Sequence, residues 1–449
     1  MSEDGLDGRL GSAVRAGDAD AVRDLLSRGA RPDTVDENGL PLLCAAVAAY
    51  DEPVAEALVE GGADPDRVLP DGTTPLWRAT DGGSPAVFSA VLGEESRLRL
   101  TESARERLLA LARSRYETGA AGELRRRAGA PVAATTVRVQ DGAYQWVEQV
   151  SAGGFVVRAG HGAILTLLEW AFRVLPPVDE LIARAVRHPD EEHVDWFAAC
   201  WILTRRRSFE TWSAVVAHRH DPDRASRRFV LDYLRTRGLL DTSPFYEKKE
   251  SDLLAVWAVE ETDDELLAKV LGAFTEHDHP DQEAIGLRHA GHPDPHVRRE
   301  VPGALSSDDG PRTQEAGDAL LALMGDPDAE VRLRACTAGM WAEGLLPETT
   351  RTLVSLTGAA DPDVRGAAAA ALAGSPVRTP GVADALAALL DDDRQPVRLE
   401  AAYGLALRDD PRTAEAIERV GPLGTGFEHD HRADELWRWK WRREGPAVG

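Results

Sequence analysis

The sequence has few of the residues that mark secreted or membrane proteins. Its 449 residues include three cysteines, too few for a disulfide scaffold and consistent with a reducing compartment. The longest apolar stretches reach about nine residues, as in 42–50, whereas a membrane helix needs roughly 20. The N-terminal segment is acidic where a secretory signal is basic. These absences predict a soluble, cytoplasmic protein that does not bind membranes.

Basic residues, and Lys above all, are scarce as well. The 52 Lys and Arg residues stand against 76 Asp and Glu, which gives a net charge of −24. Such an acidic chain repels phosphates, so we expect no nucleic acid partner. The 43% of hydrophobic residues nevertheless supports packed structure. Only four of the basic residues are Lys, and this bias is typical of a GC-rich, bacterial and in particular actinobacterial genome.

The first third of the chain repeats itself with a period of 33 residues. Residues 29–33 recur at 62–66, and apolar residues in each block follow the i, i+3, i+4 spacing of one helical face. Thr74 is a predicted helix cap and Pro75 the first helical residue. The segment 74–79, Thr-Pro-Leu-Trp-Arg-Ala, resembles the ankyrin repeat, with Trp77 where His is usual. The resemblance covers residues 5–93 and implies about three repeats.

The middle of the chain changes character twice. Residues 94–130 form a predicted basic helical connector, which is either a solvated helix face or a surface for an acidic partner. Residues 131–160 alternate apolar and polar side chains, with turn signals at Asp141-Gly142 and Gly153-Gly154. This pattern predicts a small β insert near 132–158, which serves as a wedge between the helical arrays or as a recognition element.

The C-terminal half carries a second repeat. Val-Arg pairs begin at 297, 331, 364 and 397, each shortly after an acidic or His-Pro-Asp turn, and Ala-rich sequence follows. This looks like the HEAT repeat in its short, lyase-type form. The resemblance is clear over 285–410 and degenerate back to about 161. It implies that Asp294, Asp328 and Asp363 form a ladder between repeats with Arg298, Arg332, Arg365 and Arg398.

No recognisable catalytic motif accompanies these repeats. Cys44, Cys200 and Cys336 sit among apolar residues and are predicted core residues, and none of the four Lys continues into a P-loop. Five histidines, at positions 277, 279, 289, 292 and 296, could supply metal ligands. The His-Pro-Asp turns recur with the repeat, however, so we interpret them as capping turns. We therefore predict no catalytic residue, metal or cofactor, with His277 and His279 least explained by the repeat.

Three tryptophans alternate with basic residues near the C-terminus. Trp437, Trp439 and Trp441 cannot all lie on one helical face. They either seal the last repeat or anchor a partner, because terminal repeats need covering and Trp is frequent at interface hot spots.

Together these patterns predict a mainly α protein, a double α-solenoid with a small β insert. The predicted segments are 1–93 (ankyrin repeats), 94–130 (connector), 131–160 (β element), 161–284 (degenerate HEAT-like repeats) and 285–449 (HEAT-like repeats with a Trp/Arg-rich cap).

Both resemblances imply a non-catalytic scaffold or adaptor, monomeric when free, that binds a protein or peptide. The acidity favours a basic partner. One alternative is an acidic immunity protein that inhibits a toxin, and another is a helper subunit or lyase-type enzyme of a bacterial biosynthetic pathway. Some HEAT-like proteins excise alkylated DNA bases, but the acidic HEAT-like half disfavours that activity. The candidate contact residues share acidity or aromatic character: Asp36, Glu37, Asp66, Asp71, Trp77, Trp437, Trp439 and Trp441.

Overall fold

The computed structural model describes residues 3–128, 133–240, 243–307, 310–427 and 429–444. The chain divides into two compact units, Met1–Asp241 (unit 1) and Thr242–Gly449 (unit 2). The described residues form 26 α-helices, one three-stranded sheet and one two-stranded sheet. This confirms the predicted α-solenoid with a small β insert. Within the described residues, no helix has the length and apolar character needed to span a membrane.

Unit 1 begins with three pairs of helices stacked on one another. Their bounds are α1 (Glu3–Ala16), α2 (Ala19–Ser27), α3 (Leu42–Ala49), α4 (Glu52–Glu60), α5 (Pro75–Gly82) and α6 (Pro85–Leu92).

The period of 33 residues also appears in the caps of these helices. The side chains of Asp18, Asp51 and Ser84 each accept the backbone N–H three residues later, at the starts of α2, α4 and α6. Gly29 and Gly62, just beyond α2 and α4, have φ values of 96° and 97°. Thr74 caps α5 as predicted, since its hydroxyl accepts the N–H of Trp77.

The connector is formed by α7 (Ser96–Arg99), α8 (Glu102–Thr118) and α9 (Ala120–Ala128). Several of its arginines are paired inside unit 1. Arg115 and Arg127 contact both Asp81 and the fully buried Glu123, and Arg126 also binds Glu123. These arginines therefore neutralise internal carboxylates, and neither of the two interpretations offered for the connector describes them.

The β insert is an antiparallel sheet of three strands, β1 (Thr135–Gln140), β2 (Trp146–Ala152) and β3 (Phe155–Arg158). Residues 131 and 132, at the start of the predicted element, lie outside the described residues. One end of the sheet is fixed to the second and third ankyrin-like helix pairs. The buried carboxylate of Asp141 accepts hydrogen bonds from the Ser84 hydroxyl and the Ala86 N–H and pairs with Arg158.

The loop at residues 188–193 holds the other side of the sheet. The indole N–H of Trp146 donates to Asp190, and its backbone N–H donates to the Glu192 carbonyl. Arg138 stacks on the Trp146 ring with 4.0 Å to the ring centroid and pairs with Glu192 at 2.8 Å. Because both sides of the sheet are held in this way, its position in unit 1 agrees with the wedge interpretation.

Unit 1 continues with five helices after the sheet. They are α10 (His161–Ala171), α11 (Val178–Val186), α12 (Val194–Arg205), α13 (Phe209–Ala217) and α14 (Arg224–Leu240).

Unit 2 contains the remaining helices and a two-residue pair of strands. They are α15 (Pro244–Glu260), α16 (Asp264–Thr275), α17 (Gln282–His289), α18 (Pro295–Leu305), β4 (Ser306–Ser307), β5 (Gly310–Pro311), α19 (Gln314–Leu323), α20 (Ala329–Gly339), α21 (Leu346–Leu356), α22 (Pro362–Gly374), α23 (Pro380–Ala388), α24 (Gln395–Ala406), α25 (Thr413–Val420) and α26 (His431–Glu444).

A recurrent arginine closes turns that precede helices in both units. In each case Nη1 donates to the carbonyls five and six residues earlier, in the turn that precedes the arginine's own helix. This contact is made by Arg227, Arg298, Arg332, Arg365 and Arg398. Arg227 belongs to the segment predicted as a degenerate copy of the repeat.

The expected ladder forms with different carboxylates. Arg298 pairs with Asp326 at 2.7 Å, and Arg365 pairs with Asp392 at 2.6 Å. The predicted partners Asp294 and Asp328 instead cap α18 and α20. The assignment of Asp294 to the ladder was therefore wrong, because its carboxylate accepts a backbone N–H at the start of α18. Asp328 caps α20 and also pairs with Arg299 at 2.8 Å, so it joins neighbouring repeats through a different arginine from the predicted ones. Asp363 lies within the first turn of α22, where Asp361 is the cap.

Candidate functional site

The four acidic residues predicted to bind a partner lie on the loops between ankyrin-like helix pairs. Asp36 accepts the backbone N–H groups of Asn38 and Leu40, which lowers its pKa. Hydrogen bonds from Thr73 lower the pKa of Asp71 to about 2, and Arg78 also pairs with it. Asp66 pairs with Arg99. Glu37 is exposed and makes no hydrogen bond or ion pair within the described part of the chain.

Exposed valines accompany these loops, although the sequence analysis did not single them out. Val35 is 42% exposed and directly precedes Asp36, and Val68 is 74% exposed at the equivalent position of the next repeat. Their spacing of 33 residues was the available signal. The loops thus combine acidic side chains with exposed apolar ones.

The aromatic candidates divide between core and surface. Trp77 is half-buried and packs against the core of the ankyrin-like helices. Trp439 is buried in the core of unit 2, whereas Trp437 and Trp441 are 66% and 55% exposed. The rings of the two exposed tryptophans stack with centroids 6.4 Å apart. One face of α26 therefore covers the last repeat, and the other leaves an aromatic pair on the surface.

A groove of about 430 Å³ lies inside unit 1. Its walls come from α4, α6, α10 and α12 and from the turn between β1 and β2. Phe197, which is 46% exposed, and Trp201 stack on each other along α12 with ring centroids 6.3 Å apart. Glu52 and Glu56 line the groove from α4. We call this feature the unit 1 groove; the sequence analysis did not predict it.

The two carboxylates that α4 places in the unit 1 groove have little compensation, whereas the third, Asp141, pairs with Arg158. Glu52 makes no hydrogen bond or ion pair within the described residues, and Glu56 has Arg23 3.6 Å away. Burial raises the pKa of Glu52, and the negative charges of Glu56 and Asp141 raise it further. The groove therefore carries unmatched negative charge beside an aromatic surface.

A larger cavity, of about 970 Å³, lies in unit 2 between α16 and α20. Its exposed aromatic residue is Trp341, which is 64% exposed. Two of its arginines are already paired, Arg299 with Asp328 and Arg334 with Glu300. The charge in this cavity is thus better compensated than the charge in the unit 1 groove.

The predicted histidine cluster behaves as a set of capping turns. Nδ1 of His279 accepts the N–H of Asp281, and Nδ1 of His292 accepts the N–H of Asp294. His289 instead contacts the carbonyl of Ala258 from within unit 2. These contacts direct the rings to separate partners, so the structure does not gather the five histidines into one site.

A different group brings possible metal ligands together. Among the described residues, Glu148, His188 and His193 place one ligand atom each within 4.8 Å of one another. The two imidazole rings are stacked, however, with an interplanar angle of 16° and centroids 4.1 Å apart. Imidazole nitrogens bind metals in the ring plane, and the lone pairs of parallel rings do not converge on one ion.

The protonation of His193 also argues against metal binding. Its Nδ1 accepts the N–H of Asp195 at 3.2 Å, which leaves the proton of the neutral ring on Nε2. Burial, together with His188 and Arg138, lowers the pKa of His193 to about 3, so the ring is neutral. A neutral imidazole can bind a metal, but here the ring nitrogen nearest to Glu148 carries the proton. Nε2 lies 3.4 Å from Oε2 of Glu148. The group therefore fits an imidazole–carboxylate contact better than a metal centre.

The three thiols are buried, as predicted for core residues. Burial raises the pKa of Cys200 and of Cys336 to about 12 and also raises that of Cys44. A thiol with such a pKa is protonated at neutral pH and is a poor nucleophile.

Two family models match the chain where the sequence predicted repeats. Residues 10–101 match ankyrin repeats in three copies, and residues 350–420 match HEAT repeats. The chain therefore has ankyrin repeats followed by HEAT repeats, which confirms both resemblances. Repeats of these families are typically non-catalytic interaction modules, and they indicate a scaffold that binds another protein.

No curated protein matches the chain. Among solved structures, the crystal structure of the Escherichia coli protein YibA is similar at 16% sequence identity. The match has a TM-score of 0.41 and covers 55% of this chain and 93% of the other.

Proposed function

We propose that this chain is a non-catalytic scaffold that binds a basic protein or peptide through its repeat surfaces. The observation that carries the proposal is the pairing of acidic and exposed apolar groups on the first ankyrin loop. Glu37 is free of partners within the described residues, and the exposed Val35 lies two residues before it. A basic surface with some apolar character complements this combination.

The net charge of −24 supports the same proposal at longer range. Many individual carboxylates have local duties, such as Asp36 in its turn and Asp326 in its pair with Arg298. These local hydrogen bonds and ion pairs do not remove the negative electrostatic field of the whole chain. That field attracts cations and raises the rate of encounter with a basic partner.

The structure refines which carboxylates should be changed to test this. Asp66 and Asp71 pair with Arg99 and Arg78, so neutralising them also disturbs the loops. Glu37→Gln alters charge alone. Changing Asp36, Glu37, Asp66 and Asp71 together to Asn or Gln tests the collective field, and an unfolding curve verifies that the variant remains folded.

Affinity capture identifies the partner on which these variants act. The immobilised chain is exposed to a lysate, bound proteins are eluted with a salt gradient, and mass spectrometry identifies them. We expect a basic protein that elutes with salt and whose binding weakens in the fourfold variant. A neutral or acidic partner, unaffected by salt and by the variant, would contradict the proposal.

An acidic immunity protein is a narrower form of the same proposal, supported by the same charge complementarity. It requires that the captured partner be a toxin and that the chain inhibit it. An assay of the partner's activity with increasing amounts of the chain separates this role from that of a scaffold, which leaves the partner active.

A further inference from the structure

We infer that the unit 1 groove binds an extended segment of the partner that carries a Lys or Arg beside a large apolar side chain. This inference rests on the function proposed above and adds the place and the chemistry of recognition. The groove holds about 430 Å³, room for a few side chains, so it fits a peptide segment rather than a folded surface.

The apolar part of this chemistry comes from α12. Phe197 leaves 46% of its surface exposed in the described chain, and it stacks on Trp201. Leu167 and Ala86 continue the apolar surface from α10 and α6. An apolar side chain that packs on this surface shields the surface from water, which favours binding. Aromatic residues are enriched at protein interfaces for this reason.

The cationic part follows from the acidic wall. Glu52 and Glu56 lie one helical turn apart on α4, on the same face of the helix. The third carboxylate at the groove, Asp141, already pairs with Arg158 at 2.6 Å. Glu52 and Glu56 repel each other, and no cation among the described residues pairs with Glu52. A guanidinium or ammonium group placed beside both carboxylates therefore relieves this repulsion.

The wall opposite α4 is fixed in place before any partner binds. Asp141 holds the β1–β2 turn to α6 through the Ser84 hydroxyl and the Ala86 N–H. Because the turn is already ordered, binding does not incur the loss of conformational entropy that ordering it would require. The wedge and the recognition interpretations of the β insert thus describe one element in two roles.

Peptide selection tests this inference on the full chain. Random 12-residue peptides displayed on phage are selected on the immobilised protein, and the strongest binder is synthesised with a fluorescent label. We expect enriched sequences with Lys or Arg within about four residues of an aromatic or aliphatic side chain. In anisotropy titrations, Glu52→Gln/Glu56→Gln should weaken binding by about tenfold or more, and Phe197→Ala should do the same.

Matched controls come from the same elements or have the same exposure. Glu60→Gln removes an equal charge at the other end of α4, and Phe209→Ala removes a phenyl ring that is also 46% exposed. Both should bind within about twofold of the unchanged chain. Thermal unfolding of every variant checks that lost binding is not lost folding.

The outcomes separate this inference from the function on which it rests. Selected peptides without a cation, or equal binding by the Glu52→Gln/Glu56→Gln variant and the Glu60→Gln control, would overturn the groove assignment. If salt still slows association of the captured partner in that case, the basic-partner function stands and another surface carries it. Salt-independent association overturns both.

Discussion

At the scale of single residues, two glutamates of unit 1 occupy opposite electrostatic environments. Burial opposes the ionisation of Glu123, but hydrogen bonds from Arg126 and Arg127 outweigh it and lower its pKa to about 2. Burial and the nearby carboxylates of Glu56 and Asp141 raise the pKa of Glu52. The first arrangement stabilises the fold, and under the proposed function the second supplies the charge that attracts a cationic partner.

Glu123→Gln should destabilise unit 1. The change leaves Arg115 and Arg127 without a carboxylate that they contact in a region of low solvent access. Breaking such a pair on one side typically costs about 3 kcal/mol. Thermal or urea unfolding of the variant and the unchanged chain at pH 7 measures the difference. Glu117→Gln, a control on the exposed surface of α8, should cost less than about 0.5 kcal/mol.

The stability that Glu123 supplies should disappear in acid. Its pKa is about 2 in the folded chain and near the ordinary value of 4.5 when unfolded. The contribution is therefore complete above pH 4.5 and is lost as the pH falls toward 2. The stability difference between the unchanged chain and Glu123→Gln should narrow over this range; a constant difference would contradict the account.

Binding of the selected cationic peptide should weaken early as the pH falls. Because its pKa is raised, Glu52 takes up a proton at a higher pH than an ordinary glutamate does, and this removes the attraction. Affinities measured from pH 7 to pH 4.5 should fall more steeply for the unchanged chain than for Glu52→Gln.

The purified chain should contain no stoichiometric transition metal. The rings of His188 and His193 are parallel, and His279 and His292 cap turns through Nδ1. Elemental analysis of protein purified without a histidine tag provides the measurement. One zinc per chain, lost in Glu148→Gln or in the His277→Ala/His279→Ala variant, would contradict this prediction.

At the scale of elements, the contact between the sheet and the third ankyrin repeat is tight at Gly83. Gly83 has φ of 80°, and a Cβ there would overlap the Arg158 carbonyl oxygen and lie 2.6 Å from Cε1 of His161. Gly29 has φ of 96° with open space around the same position. Comparing substitutions at Gly83 and Gly29 therefore separates the free-energy cost of backbone strain from that of a steric clash.

Gly83→Ala should therefore be far more harmful than Gly29→Ala. Backbone strain alone costs roughly 1 kcal/mol, and the clash at Gly83 should raise the total to about 3 kcal/mol or more. Urea unfolding curves of both variants measure this difference. Equal costs would show that the sheet is not held against α5 and α6 as described.

The elements differ in how far the sequence could predict them. Alternating apolar residues and turn glycines predicted the β insert, because both signals are local. The ladder arginines were recognised, but Asp328 was chosen over Asp326 because both carboxylates flank the same proline. Only the structure shows that Arg298 pairs with Asp326, whereas Asp328 caps α20 and pairs with Arg299.

The unit 1 groove could not be predicted in the same way. Glu52, Asp141 and Phe197 come from three distant parts of the chain and meet only because the β insert packs between the helical arrays. The predicted loop residues were chosen for local acidity. That signal does not distinguish a carboxylate engaged in a turn, such as Asp36, from one that has no partner among the described residues, such as Glu37.

At the scale of the whole molecule, the side chains that can contact a partner are those that are not buried between neighbouring repeats. Ankyrin repeats and HEAT repeats bury their apolar faces against neighbouring repeats. The excess of carboxylates gives the exposed remainder a negative charge. The proposed function therefore depends on electrostatic attraction between this chain and a basic partner.

The ionic-strength dependence of partner association tests that central claim most directly. Biolayer interferometry or stopped-flow fluorescence gives the association and dissociation rate constants of the captured partner between 50 and 500 mM NaCl, a range over which surface charges are progressively screened. We predict that the association rate constant falls by about tenfold or more while the dissociation rate constant changes by less than about twofold. An association rate constant that does not change with salt would contradict the account.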